Sequence, residues 1–183
     1  MALPHTVYRL RIDLSDVDRG VYENLDLRVA QHPSETLRYF LTRVFALAFH
    51  VSDGAVFSGA GLRDPDEPAV LVRDLTGRLT HWIDIGSPSA ERLHKASKRA
   101  DVVWVYTHKD PEHLVRGLRR ATIHRREEIR LLALEPAFLD AVARDLVRNC
   151  ALTLVRTEGT LFVTIGDETH TGKLVPYSLT EAG

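Results

Sequence analysis

Cysteine is nearly missing from this 183-residue chain. The single Cys150 excludes an intramolecular disulfide and is the usage expected of a protein in a reducing cytoplasm. Set beside the apolar "ALTLV", it reads as a small buried residue rather than a nucleophile. Long hydrophobic runs are missing too, and none approaches the roughly 20 residues a helix needs to span a bilayer. The opening "MALPHTVYRLRIDL" lacks the basic stretch followed by an apolar core that marks a secretory signal. Charge of one sign is also lacking: 24 Lys and Arg face 25 Asp and Glu, so no global field draws in nucleic acid or a membrane surface. Any charged site must therefore be local. No phosphate-binding loop or dinucleotide fingerprint is present, because the Gly-rich "SGAGLRD" has neither the glycine spacing nor the strand-to-helix setting. The nine histidines include no pair at zinc-ligand spacing, and His81 and His108 stand alone. With no repeat, low-complexity segment or linker, residues 1–183 read as one domain.

What is present is a mixture of strand and helix patterns. "TVYRLRIDL" alternates apolar and polar residues, "SDVDRG" is a turn, and residues 21–30 alternate again, which gives an N-terminal hairpin. "HPSETLRYFLTRVFALAFH" places Leu37, Phe40, Leu41, Val44, Phe45 and Ala48 at helical spacing. Pro33 suits the first helical position and Glu35 the first turn. Residues 54–78 are irregular apart from "AVLVRD", whose turn "DLTGR" leads into the strand "LTHWIDI". A helix is expected over Pro88–Arg99, capped by Ser87. "DVVWVYTH" and "IRLLALE" read as buried strands. "DPEHLVRGLRRA" and "PAFLDAVARDLVRN" read as helices, and "ALTLVRTEGTLFVTI" as a C-terminal hairpin before an irregular tail. The series predicts a mixed α/β fold whose sheet is flanked by helices.

Candidate chemistry concentrates in "WIDIGSPSAERLHKASK". Alternation puts Thr80, Trp82, Asp84 and Gly86 on one face of their strand. A carboxylate at a strand end lies where open α/β sheets hold ligands. The preceding hairpin starts with Asp66 and Glu67, so two strands can bring acids to one end, an oxygen-ligand set suited to magnesium or manganese. Asp84 also has a plain structural alternative, as a cap for the following helix or an ion-pair partner of Arg92. Glu35 is accounted for by the helix dipole alone, and Asp66 and Glu67 by a solvated turn. Lys95 stands four residues after Glu91, the spacing of an ordinary surface pair. The basic run "RGLRRATIHRREE" lacks aromatics for base stacking and reads as an exposed helix face and loop.

These residues resemble the core of the PD-(D/E)XK nuclease superfamily, a restriction-endonuclease-like fold here carrying additional N- and C-terminal hairpins. More closely, "MALPHTVYRLRIDLSDVDR", "QHPSET", "DEP", "WIDIGSP" and "ERLHKAS" resemble, in order, the pattern of the YaeQ family. The resemblance implies metal-dependent hydrolysis of nucleic acid phosphodiesters. Asp84 with Glu67 or Asp66, joined by Glu35, would hold Mg or Mn, Lys95 would orient the attacking water, and Arg92 would contact a substrate phosphate. The superfamily lysine is expected two residues after the second acid, where this chain has Gly86. Lys95 is the candidate for a migrated lysine: about 7 Å back along the strand is offset by roughly 10 Å of helical rise. The other reading of the same residues is a non-catalytic descendant of the fold that binds a partner, nucleic acid or an unidentified protein, without cutting it.

Overall fold

The computed structural model describes residues 5–59, 64 and 66–180, which fall into two compact units. The first is built from residues 1–41 and 134–174, the second from 42–133 and 175–183, so the chain contributes to each unit twice.

In the first unit the alternation of "TVYRLRIDLSD" forms strand β1 (Thr6–Asp16), which buries Tyr8, Leu10, Ile12 and Leu14 and exposes Arg9, Arg11 and Asp13. A turn with Gly20 at φ +67° returns the chain as β2 (Val21–Gln31), antiparallel to β1. On its other side β1 pairs in parallel with β8 (Asn149–Thr157), Leu10 opposite Cys150 and Leu14 opposite Leu154. Strand β9 (Thr160–Ile165) and then β10 (Glu168–Tyr177) continue antiparallel from β8. The expected C-terminal hairpin is thus extended by a third strand. The tail expected to be irregular after Gly166 pairs instead, because a tight turn at Gly166 (φ +59°) returns "ETHTGKLVPY" along β9. Helix α4 (Pro136–Asp145) buries Phe138, Leu139 and Val142. It ends earlier than its pattern suggests, since Leu146 is already extended. Gly172 on β10 lies so close under Phe138 that an added Cβ would stand 2.3 Å from the ring. Cys150 is buried.

In the second unit the order across the sheet is β3 (Val56–Phe57), β4 (Val70–Arg73), β5 (Leu79–Ile85), β6 (Val102–Thr107) and β7 (Ile129–Leu134). The strands β3, β4 and β5 pair antiparallel, whereas β5, β6 and β7 are parallel, so this sheet is mixed. Parallel neighbours need crossovers, and α2 (Ala90–Arg99) and α3 (Pro111–Arg119) supply them. Leu93, Ala96, Leu114, Val115 and Leu118 from these helices pack with Trp82, Val103, Val105 and Leu131 from the strands. Helix α3 starts as its sequence indicates, with Asp110 accepting from the Glu112 and His113 N–H groups and Pro111 at the first turn.

Two helix starts differ from expectation. The cap of α2 is Ser89, not Ser87, and its Oγ accepts from Arg92 N–H at 3.2 Å. Helix α1 (Leu37–Phe49) begins after Glu35, so no acid occupies its first turn. Among the described residues no helix is long and apolar enough to cross a membrane.

Candidate functional site

Strand β5 delivers Asp84 to its C-terminal end, 2 % exposed and opposite Val105 of β6. A buried carboxylate needs a partner, and α2 provides one. Arg92 Nε donates to Asp84 Oδ2 and Arg92 Nη2 to Asp84 Oδ1, each at 2.7 Å, a bidentate fork. Nη2 donates as well to the main-chain carbonyl of Glu67 at 2.7 Å. One guanidinium thereby ties the end of β5 to the segment preceding β4. The structural alternative raised for Asp84, pairing with Arg92, is what the geometry displays.

The next position explains itself through the backbone. Gly86 has φ +89°, a conformation that a side chain makes costly, while its N–H donates to the Tyr106 carbonyl at 2.9 Å. The place where the superfamily pattern puts a lysine is here a bend that favours glycine.

The other candidates are distributed as follows. The Glu67 carboxylate accepts a hydrogen bond from Ser58 Oγ. Asp66 is exposed; its N–H donates to Asp64 Oδ1 at 2.8 Å and its carbonyl accepts from Arg99. Lys95 has a side chain 59 % exposed, and its ammonium pairs with Glu91 at 3.1 Å across one turn of α2. Glu91, as hydrogen-bond acceptor and countercharge, raises the affinity of that amine for its proton above the ordinary lysine value. Glu35 belongs to the first unit, where its carboxylate, in a buried residue, accepts the His32 N–H at 2.8 Å. Arg92 therefore brings Asp84 together with the Glu67 backbone, whereas Lys95 is directed to Glu91. Among the described residues no three His, Cys, Asp or Glu side chains are grouped so as to hold a metal ion. The donor set implied by the resemblance does not fit a resident magnesium, because Asp84 has both oxygens committed to a cation already.

Around this pair lies a layer that residue patterns did not single out. The Arg92 and Arg99 guanidinium carbons sit 5.3 and 5.2 Å from the Trp82 ring centroid, at a separation of seven residues that places both on one helix face. On another face of the sheet, buried His50 joins Asp53 through Nδ1 (3.1 Å) and the Tyr106 hydroxyl through Nε2 (2.9 Å). His50 and Asp53 both follow the end of α1, and only the fold places Tyr106 against His50. The basic run 116–128 is more structural than a solvated face. Arg125 donates to the Ser97 and Ala100 carbonyls, Arg126 to those of Arg119 and Ala121, and Arg119 to that of Ser178 at 2.9 Å.

Comparison with known proteins follows the same outline. The family model described as YaeQ protein matches residues 1–174. The chain is 32 % identical over 108 residues to the uncharacterized protein YaeQ of Escherichia coli K12, a match that covers 59 % of this chain and spans 59 % of that relative's length. The crystal structure of YaeQ protein from Pseudomonas syringae superposes with a TM-score of 0.85 at 30 % identity, covering 97 % of this chain and 98 % of that one. That of YaeQ protein from Xanthomonas axonopodis pv. citri gives 0.86 at 29 % identity, covering 96 % and 99 %.

Proposed function

Since this chain belongs to the YaeQ family, we propose that it is a non-catalytic binding module built on a nuclease-like α/β core, in which the ion pair between Asp84 and Arg92 stands where the superfamily resemblance implies a metal. The observation that carries this reading is the bidentate fork on a buried carboxylate. A divalent cation entering at Asp84 would meet a guanidinium about 4 Å away. At an effective dielectric of about 20 that repulsion is about 8 kcal/mol for charges of two and one. Relief would require Arg92 to swing out and give up its hydrogen bonds to Asp84 and to the Glu67 carbonyl. The left-handed bend at Gly86 supports the same conclusion, because it disfavours the side chain the catalytic pattern needs.

Metal-dependent phosphodiester hydrolysis, with Glu35, Glu67, Asp84 and Lys95 as its site and Mg or Mn as its ion, is the second reading. What favours it is that Arg92 gathers Asp84 and the Glu67 segment at one point. Calorimetric titration of the whole chain with manganese separates the two. The binding module gives no saturable heat that depends on Asp84. Stoichiometric binding that disappears in Asp84→Asn, together with metal-dependent cutting of DNA or RNA, would replace it with the hydrolase.

A further inference from the structure

Beside α2 lies a hollow of about 690 Å³, within the size range of small-molecule sites. Arg92, Lys95, Lys98 and Arg99 line it with Trp82, and among the described residues the carboxylates there are Asp66 and Glu91, which leaves an excess of two positive charges. The four cations are not equivalent. Arg92 is committed to Asp84 and Glu67, and Arg99 to the Asp66 carbonyl. Lys95 pairs with the exposed Glu91, a contact that water screens and an anion can replace. Lys98, also exposed, has no hydrogen bond or ion pair among the described residues. Trp82, 1 % exposed, also borders the hollow, and its buried indole N–H has no acceptor among the described residues.

We propose that this hollow binds a small phosphate-bearing ligand of nucleotide size, with Lys95 and Lys98 as the cations that take the phosphate and Arg99 as their support. Size selects the small ligand over a nucleic-acid backbone. The cations occupy one face of a ten-residue helix, roughly 15 Å long, and Arg119, Arg125 and Arg126 of the run 116–128 are tied to main-chain carbonyls. The site shares Lys95 and Arg92 with the hydrolase reading but uses no carboxylate as a metal ligand, so its ligand binding is read with metal absent.

The test is calorimetry on the full chain with EDTA present, titrating pyrophosphate, ATP and a single-stranded oligonucleotide. Pyrophosphate and ATP should bind at one site per chain. Lys95→Gln combined with Lys98→Gln should weaken binding by about tenfold or more, the loss expected on removing charge-assisted contacts. Glu91→Gln, which frees Lys95, should tighten binding. Circular dichroism should show the variants folded, since both lysines are exposed. Three outcomes overturn the proposal: no saturable binding of pyrophosphate or ATP, affinity unchanged in the double lysine variant, or binding of the oligonucleotide alone. The metal titration at Asp84 reads independently of all three.

Discussion

Truncating Arg92 strands a carboxylate in the interior, and the cost can be worked from the contacts. Arg92→Met keeps much of the aliphatic stem beside Trp82 but removes the bidentate bonds to the Asp84 carboxylate and the bond to the Glu67 carbonyl. Breaking a buried pair by deleting one partner costs about 3–5 kcal/mol. The Arg92 side chain is 26 % exposed, so water can partly reach the vacated position and the low end applies, about 3 kcal/mol. For a chain of this length that corresponds to a fall in Tm of roughly 6–12 °C. The diagnostic step is the double variant. Asp84→Leu added to Arg92→Met removes the stranded charge and should recover all but about 1 kcal/mol, because apolar replacement of both partners is close to neutral. Urea unfolding of the wild type, both single variants and the double variant closes the cycle. A loss below about 1 kcal/mol in Arg92→Met, or a double variant as unstable as the single one, would refute the account of Asp84 as a desolvated partner of Arg92.

Gly86→Lys, which places a lysine where the superfamily resemblance implies one, should cost about 2 kcal/mol through its positive φ and should create no nuclease activity; denaturant unfolding and a plasmid-cutting assay check both halves. Gly172→Ala should cost about 3 kcal/mol by forcing a methyl into Phe138, and adding Phe138→Ala should cost less than the sum of the two single losses, as read by thermal unfolding. Asp74, held down to about 2 chiefly by the Thr76 hydroxyl and further by Arg78, has a folded value below its unfolded one. Its contribution is therefore full above the ordinary carboxylate range and is lost as pH falls through about 2. Carbon-detected NMR titration of the Asp74 carboxylate should place its midpoint there, and Asp74→Asn should destabilise the protein at neutral pH but not at the acid limit.

Where one residue pattern decided one element, the sequence was legible. Tyr8, Leu10, Ile12 and Leu14 alternate and are buried. Asp110 followed by Pro111 caps α3. Asp84 stood out because a carboxylate closing an apolar strand demands a partner. Which partner it takes depends on how α2 crosses β5, and "SPSAERLHK" offers two basic residues three positions apart. Starting the helix at Ser89 rather than Ser87 moves the register by two residues, and Arg92 is the residue whose guanidinium reaches Asp84. Trp82 shows the same limit. Alternation put it on the face of Asp84, but its arginine cover exists only once α2 lies across it. Likewise β10 was obscured because Thr, Lys and Gly dominate it, and its pairing comes from β9 rather than from its own propensity.

The parallel pairing of β1 with β8 joins residues 9–16 to residues 149–156. At about 5–20 residues per second, the 117 residues between the end of β2 and the start of β8 take roughly 6–23 s to synthesise. During that interval the nascent N-terminal hairpin has one long edge with open backbone donors and acceptors and its Leu10, Ile12 and Leu14 side chains uncovered. Its charged outward residues, Arg9, Arg11 and Asp13, are then the chain's own defence against strand addition by a neighbouring polypeptide on the same messenger.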